Sequence, residues 1–241
     1  MGARPPRLRL LLLSNSTKPG QAPLAHAMGA IDAFLGQIRE LVFVPFAAVR
    51  MSAVGYTEFI QKTLRPLAIR VRPLPEGRNG VDVLRMAPAV AVGGGNTFHL
   101  LHRLSAAGLL RALRARVRAG VPYLAWSAGS NLACPTIRTT NDMPIVEPAS
   151  FGGLGLVPFQ INPHYTDQAI PNHGGESRDD RIAEFVALHP TVRVIGLREG
   201  TWLRLEEDRL TLHGPAPMRV FEAGRPPRDC SADEELGFLL R

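Results

Sequence analysis

The chain has 241 residues, of which 45% are hydrophobic, and a formal net charge of +7. This length and composition predict a single domain over residues 1–241 with a sizeable core, and no apolar stretch reaches transmembrane length. The positive charge comes from arginines scattered along the whole chain. The densest run, 111–118, lies in a helical pattern with leucines and contains no aromatic residue that could stack on a base. We therefore expect neither nucleic acid nor a membrane as a partner.

The two cysteines, Cys134 and Cys230, are too few for a disulfide framework and are not spaced as metal ligands. Unpaired thiols suit a reducing compartment, so we predict a cytoplasmic protein. The apolar run at 10–13 follows basic residues but is too short for the core of a signal peptide. It is better interpreted as the first buried strand.

Short apolar runs alternate with helical patterns through the first half of the chain. Runs that are apolar on both faces predict a parallel sheet covered by helices. The predicted strands are 8–13, 40–45, 69–74, 88–92 and 121–124. The predicted helices are 25–35, 54–64, 81–86, 97–106, 109–119 and a short one from 130 to about 135.

The last third of the chain has a different pattern. A strand at 159–162, a helix at 177–188 and a strand at 192–196 are followed by a hairpin of 201–205 and 209–213 that turns at Glu207 and Asp208. Residues 218–221 are a candidate third antiparallel strand. Apart from the N-terminus, 224–231 is the segment with the weakest signal for order.

Residues 124–131, LAWSAGSN, carry the clearest functional signal. Ser127 stands between small residues at a sharp turn from a strand to a helix, the arrangement of a nucleophile elbow. Small residues at 128 and 129 avoid a collision with the neighbouring strand, and the N–H of Ala128 is left free to bind an oxyanion. The alternative is an ordinary strand–helix junction that happens to contain serine.

Polar residues follow several predicted strands, and the carboxyl ends of parallel strands share one edge of a sheet. They are the GGGN loop at 93–96, Ser127, the NPHY turn at 162–165 and the REG segment at 198–200. We expect these segments to converge. The glycine loop lacks the Lys-Ser/Thr of a P-loop, so a second oxyanion N–H is its better interpretation.

A serine nucleophile needs a base, and the base needs an acid to orient it. His164 is the best base among seven histidines, and His173 is its main competitor. Glu199 and Asp142 are the candidate acids. Each has a plainer interpretation, since His164 could be a surface residue and Glu199 could simply pair with Arg198 or Arg204. The chain order Ser, His, Glu differs from that of the α/β-hydrolases.

Together these segments resemble the peptidase E family, serine peptidase family S51. The matching motifs are GGNT at 94–97, WSAG at 126–129, TTNDMP at 139–144, NPH at 162–164 and LREG at 197–200. The resemblance implies a Ser127–His164–Glu199 triad, oxyanion N–H groups from Gly95 and Ala128, and hydrolysis of Asp-Xaa dipeptides without metal or cofactor. The predicted fold is a three-layer α/β arrangement with a mostly parallel sheet and a C-terminal antiparallel hairpin. It is similar to class I glutamine amidotransferases and flavodoxin, the former having cysteine where this chain has Ser127.

A peptidase for Asp-Xaa must bind a side-chain carboxylate and a free ammonium. The resemblance implies that Arg178 binds the carboxylate, a task that suits a bidentate guanidinium; the alternative is a surface arginine at a helix start. Asp142 could bind the ammonium or brace the site, and Asn96 could orient the substrate. A small peptide is thus the expected partner, and the oligomeric state, a homodimer included, is left open.

Two other functions compete with this one. A cyanophycinase-like peptidase would use the same triad on another aspartyl-linked substrate, although the short chain and GGNT rather than GGNQ disfavour it. A non-catalytic binding module on the same scaffold would not need the full set of candidate catalytic residues.

Overall fold

The computed structural model describes residues 7–168 and 174–241. Within these ranges the strands are β1 (Leu10–Leu13), β2 (Glu40–Val44), β3 (Arg70–Pro73), β4 (Val90–Val92), β5 (Tyr123–Trp126), β6 (Gln160–Tyr165), β7 (Val194–Arg198), β8 (Trp202–Glu206), β9 (Arg209–His213), β10 (Met218–Phe221) and β11 (Arg228–Cys230). The α-helices are α1 (Met28–Leu35), α2 (Ala53–Leu64), α3 (Arg78–Met86), α4 (Thr97–Ala106), α5 (Leu110–Arg118), α6 (Ala128–Leu132) and α7 (Arg178–Leu188).

The larger sheet has seven strands in the order β3-β2-β4-β5-β1-β8-β9. The five strands from β3 to β1 are mutually parallel, and β8 and β9 continue the sheet as an antiparallel hairpin. This confirms the predicted mostly parallel sheet flanked by helices and the predicted hairpin. The carboxyl ends of the parallel strands form the edge at which the candidate site is found.

The leucines of β1 show why the central strands are apolar on both faces. Leu10 and Leu12 pack into a core formed with α3 to α6, whereas Leu11 and Leu13 pack with α1 and α2 on the opposite face. All four are at most 1% exposed. Full burial of such a side chain stabilises the fold by about 1.5–3 kcal/mol, so both helix layers are strongly tied to this strand.

A second sheet of four strands, in the order β11-β10-β7-β6, was not predicted as a separate unit. Its strands β6 and β7 are parallel, and β10 pairs antiparallel with β7 rather than extending the hairpin. One face packs on the larger sheet and the other on α7. The strand pattern alone could not divide the strands between two sheets, since the division depends on packing between distant segments.

Two further differences concern the same sheet. Residues 228–230 form β11 inside the segment expected to be least ordered, because its backbone pairs with β10 and Cys230 is buried. Strand β6 does not stop at residue 162 but continues through His164 to Tyr165, with a shift of register against β7. That shift bears directly on the candidate site.

No helix in the described ranges is both long and apolar enough to cross a bilayer.

Candidate active site

Ser127 occupies a sharp turn between β5 and α6. Its backbone has φ 52° and ψ −114°, a conformation that non-glycine residues seldom adopt and that costs on the order of 1–3 kcal/mol. Its N–H donates to the Leu13 carbonyl (3.1 Å), and its own carbonyl accepts from the Asn131 N–H (3.0 Å). The strand therefore reaches Trp126, two residues beyond the predicted end, and the helix begins directly after Ser127. This is the predicted elbow geometry.

Close packing explains the small residue at position 129. A Cβ on Gly129 would lie 2.3 Å from the carbonyl oxygen of Val92 in the adjacent strand β4. Real Cβ atoms do not approach an oxygen so closely, so any larger residue would push α6 away from the sheet. The predicted steric reason for a small residue here is confirmed.

The GGGN loop lies against this elbow. A Cβ on Gly94 would be 3.1 Å from the Cβ of Ser127, and a Cβ on Gly95 would be 2.3 Å from the Ala47 carbonyl oxygen. Gly95 also has φ 136°, which favours glycine. Among the described residues, none accepts a hydrogen bond from the N–H of Gly95 or of Ala128. Both N–H groups are thus available to an anion.

A partly buried tyrosine side chain holds the glycine loop by hydrogen bonds. The Tyr56 hydroxyl donates to the Gly94 carbonyl (3.1 Å) and accepts from the Trp126 indole N–H (3.3 Å). Burial raises the pKa of Tyr56 to about 12, so the phenol stays protonated at neutral pH. The loop and the residue preceding Ser127 are therefore joined through one neutral hydroxyl.

His164 and Glu199 reach the elbow from the second sheet. The Nε2 atom of His164 is 2.9 Å from the Ser127 Oγ, and its Nδ1 is 2.6 Å from Oε1 of Glu199. The His164 and Glu199 side chains are 40% and 45% exposed, so solvent reaches the pair. With Nδ1 protonated, the ring donates to the carboxylate and accepts the serine proton at Nε2.

The two arginines that could have paired with Glu199 bind other carboxylates. Arg198 binds Asp167 (2.8 Å) and Asp229 (3.2 Å), and Arg204 binds Glu206. Neither arginine has Glu199 as an ion-pair partner in the described ranges. The carboxylate of Glu199 is therefore directed to the imidazole.

Asp142 and Asn96 make contacts within the protein. Oδ2 of Asp142 accepts from the N–H and hydroxyl of Thr97 (2.7 and 2.6 Å) and from the Thr140 hydroxyl (3.0 Å). Asn96 caps α4 by accepting from the His99 N–H (3.0 Å), while its Nδ2 donates to the Met143 carbonyl (2.8 Å). Both side chains thus join the loop after α6 to the start of α4, which fits a bracing role.

Arg178 is the first residue of α7, whose start is fixed by a capping box between Ser177 and Asp180. The Arg178 guanidinium is half-buried, and no hydrogen bond or ion pair joins it to another residue of the described chain. Burial and the nearby charge of Arg181 lower its pKa. Its neighbour Asp179 is bound instead by Arg219 (3.2 Å).

None of the other histidines in the described ranges hydrogen-bonds to Ser127 or Glu199, although the charge of Glu199 acts on the His26 imidazole. His173, the main competitor for the role of base, is one of the residues that the structure does not describe. His99 and His102 are in α4, and His213 is in β9. No group of three or more His, Cys, Asp or Glu side chains in the described ranges is arranged to hold a metal ion.

Sequence reasoning missed two residues that support the site. Ser14 and Asn15, both fully buried, directly follow β1. The Ser14 hydroxyl accepts from the His164 N–H (2.9 Å), and Oδ1 of Asn15 accepts from the Gly200 N–H (2.8 Å). The available signal was their position, since two small polar residues follow an apolar strand at the edge where the other polar segments converge.

A large surface cavity of about 1050 Å³ lies elsewhere, on the exposed face of the β8–β9 hairpin. The arginines that line it are largely paired: Arg9 and Arg204 bind Glu206, and Arg7 binds Asp208. None of its lining residues belongs to the cluster around Ser127. Its size alone does not make it the functional site.

Comparison with known proteins gives the same family as the sequence motifs. Residues 10–213 match the model of peptidase family S51. The chain is 46% identical over 233 residues to a peptidase E of Nostoc sp., covering 96% of both chains, and 47% identical over 234 residues to one of Streptomyces coelicolor, covering 97% of this chain and 95% of that one. The crystal structure of a peptidase from an acI-B1 Actinobacterium superposes with a TM-score of 0.68 at 19% identity, over 95% of this chain and 96% of that one.

Proposed function

The chain belongs to peptidase family S51 and is a serine peptidase, and from this premise we propose that it hydrolyses dipeptides with N-terminal aspartate through a Ser127–His164–Glu199 triad. The observation that carries the proposal is the continuous pair of contacts from Glu199 to His164 and from His164 to Ser127, at 2.6 and 2.9 Å. Hydrogen-bond reach between nucleophile, base and acid is the geometric requirement of such a triad.

The proposed reaction passes through an acyl-enzyme. His164 Nε2 removes the Ser127 proton as Oγ attacks the peptide carbonyl, and the N–H groups of Gly95 and Ala128 stabilise the oxyanion. The imidazolium, held by Glu199, then gives its proton to the departing amine. Water repeats the sequence on the ester. The free N–H groups beside the elbow support this assignment of the oxyanion hole.

We assign recognition of the substrate aspartate to Arg178. A half-buried guanidinium that has no partner among the described residues is costly unless an anion binds it. Asn96 and Asp142 then contribute by fixing the loop beside Gly95, since their polar atoms already have protein partners. We further propose that the larger sheet and its helices are related to the class I glutamine amidotransferase architecture, with serine as nucleophile.

The first experiment is turnover on a dipeptide panel in which the first residue varies, with β-Asp-Arg included as the cyanophycin-derived substrate. We expect Asp-Xaa to be cleaved and Ser127→Ala to reduce kcat by roughly 10⁴ or more. A fluorophosphonate should label Ser127 in the wild type. Wild-type turnover in Ser127→Ala would exclude the serine mechanism, and preference for β-Asp-Arg would favour the cyanophycinase-like function. A protein neither labelled nor active on any peptide would favour a binding module.

A second experiment isolates the role of Arg178. Arg178→Ala should lower kcat/KM for Asp-Xaa by about 10- to 100-fold, the value of one or two charge-assisted hydrogen bonds. The preference for Asp-Xaa over the neutral analogue Asn-Xaa should disappear with it. Arg181→Ala, on the same helix and more exposed, is the matched control and should keep the preference. Retained preference in Arg178→Ala would place aspartate recognition elsewhere.

A further inference from the structure

We propose that Ser14, assisted by Asn15, is a positioning residue that holds the base and the acid in register with the nucleophile. The inference rests on the proposed function, because it takes His164 and Glu199 as base and acid. It concerns residues that touch neither the substrate nor the reacting atoms. Their effect on catalysis is exerted through the backbone of the residues that do.

The end of β1 contacts all three segments of the triad. The Leu13 carbonyl accepts from the N–H of Ser127 (3.1 Å), and the Ser14 hydroxyl accepts from the N–H of His164 (2.9 Å). Oδ1 of Asn15 accepts from the N–H of Gly200 (2.8 Å), the residue after Glu199. Three consecutive residues of one strand end therefore bind the backbone at or next to each member of the triad.

Ser14 also links the two sheets. While its hydroxyl oxygen accepts from His164 in β6, its proton is donated to the Leu197 carbonyl in β7 (2.7 Å). The side chain is fully buried. A single hydroxyl thus fixes the ends of two strands of the second sheet relative to β1, which carries the contact to Ser127.

The conformation of His164 explains why this contact matters. His164 has φ 52°, in the left-handed region that a non-glycine residue avoids, and it lies at the register shift between β6 and β7. A strained backbone conformation persists only when surrounding contacts hold it. The hydrogen bond to Ser14 is such a contact, so its loss should let the His164 backbone relax and move the ring away from Ser127.

Asn15 has the equivalent effect on the acid. Gly200 has φ 79° and continues the turn that presents Glu199, and the Asn15 amide accepts from it while donating to the Thr17 carbonyl (2.9 Å). Since Asn15 is fully buried, this amide is held firmly in place. The two neighbouring side chains therefore fix the two halves of the His164–Glu199 pair separately.

The test is the Ser14→Ala variant, which removes the hydroxyl without adding volume. A displacement of about 1 Å in a catalytic group costs roughly 100-fold in rate, so we expect kcat on Asp-Xaa to fall about 10- to 100-fold with KM nearly unchanged. The rate of Ser127 labelling by a fluorophosphonate should fall by a similar factor. The downfield proton resonance of the imidazole N–H bonded to the carboxylate should weaken or shift.

Matched variants separate positioning from stability. Ser16→Ala, two residues away, loses only a 3.4 Å contact with the Thr17 hydroxyl and should behave as the wild type. Ser14→Thr keeps the hydroxyl and should recover most of the labelling rate. If Ser14→Thr does not fold because its added methyl is buried, Asn15→Ala serves as the second variant. It should reduce labelling, as Ser14→Ala does. Unchanged kcat and labelling in folded Ser14→Ala, with only a lower Tm, would overturn the proposal.

The same measurements distinguish failure of this inference from failure of the proposed function. If the wild type cleaves Asp-Xaa and Ser14→Ala does so equally well, only the positioning role is wrong. If the wild type cleaves no dipeptide but is labelled at Ser127, the substrate assignment is wrong, and the labelling ratio still decides the role of Ser14. If the wild type is neither active nor labelled, both are wrong.

Discussion

Ser127, the proposed nucleophile, and the proposed base–acid pair of His164 and Glu199 come from different sheets, and different kinds of contact hold them. Around Ser127 the restraints are steric: the backbone of β4 approaches Gly129, and the Ala47 carbonyl approaches Gly95, so that neither glycine has room for a Cβ. This half of the site is fixed by how closely main chains pack.

Around His164 and Glu199 the restraints are polar. Ser14 and Asn15 bind the backbone of these segments, and Arg198, next to Glu199, is fixed by two carboxylates. Hydrogen bonds and ion pairs can be removed singly without changing the volume of the core. Substitutions should therefore act on the first half through folding and on the second half through catalytic geometry.

The largest expected effect is that of Gly129→Ala. Its Cβ would lie 2.3 Å from the Val92 carbonyl oxygen and 3.0 Å from the Val92 carbonyl carbon, and these backbone atoms of β4 cannot turn aside as a flexible side chain could. We expect a loss of about 1–3 kcal/mol or more in the free energy of unfolding, together with loss of activity. Chemical denaturation and dipeptide turnover measure the two.

Gly29→Ala is the control for that variant. Gly29 lies in α1, and a Cβ there would meet no atom within 4 Å. Alanine in a helix is favoured over glycine by at most about 1 kcal/mol, so this variant should be as stable as the wild type or slightly more so. Equal stability and activity for the two glycine variants would show that close packing does not fix the nucleophile.

Glu199→Gln should leave the fold intact and lower kcat. The carboxylate is 45% exposed, so its loss costs little stability, but the amide no longer supports the imidazolium. By analogy with other triads we expect a decrease of roughly 10³- to 10⁴-fold, measured as kcat on Asp-Xaa with the unfolding curve unchanged. Asp142→Asn is the comparison, since Asp142 binds Thr97 rather than His164. The opposite pattern would make Asp142 the acid.

The sterically restrained half of the site, around Ser127, is also the half that the sequence predicts best. Parallel strands such as β1 and the elbow at Ser127 follow from local patterns, because burial on both faces and close packing demand apolar or small residues at fixed positions. The approximate places of His164 and Glu199 follow from their positions after strands. The proposal that Glu199 is the acid came from the family resemblance, because the residues alone left Asp142 open as a second candidate.

The polar restraints could not be predicted in the same way. The bond between Ser14 and His164 joins residues 150 positions apart, and the position of Ser14 after an apolar strand does not indicate which residue it binds. The positive φ of His164 occurs at a register shift between two strands of the second sheet, and that sheet packs between the larger sheet and α7. Pairing between distant segments was thus the information that local patterns lacked.

A smaller effect is expected from Arg198→Met. Its guanidinium is 15% exposed and binds Asp167, Asp229 and the Pro217 carbonyl, so removing it leaves two carboxylates without their nearest cation. We expect about 1–3 kcal/mol less stability, below the cost for fully buried pairs because the carboxylates are partly exposed. Since Glu199 is the next residue, kcat should fall by up to about tenfold.

Arg193→Met is the matched control, since Arg193 directly precedes β7 of the same sheet. Arg193 binds Glu222 (2.5 Å) and the Phe238 carbonyl (3.0 Å) away from the candidate site. It should lose comparable stability while keeping kcat. If both variants lose kcat equally, the effect of Arg198 is a general one on the sheet rather than one on Glu199.

The smallest effect is the pH dependence of one ion pair. The hydrogen bond from Arg198 holds the pKa of Asp167 below its ordinary value, so the folded state binds this proton less readily than the unfolded state. The stabilisation is therefore complete above the ordinary carboxyl range and is lost as the pH falls through the folded-state pKa. Because the Asp167 side chain is 44% exposed, Asp167→Asn should cost less than about 1 kcal/mol at pH 7. The stabilities of the two proteins should converge as the pH falls below the ordinary carboxyl range. If the difference in free energy of unfolding between the two proteins does not change with pH, Asp167 acts by its shape and hydrogen bonding and not by its charge. Charge would then contribute less to the polar half of the site than the ion pairs of Arg198 indicate.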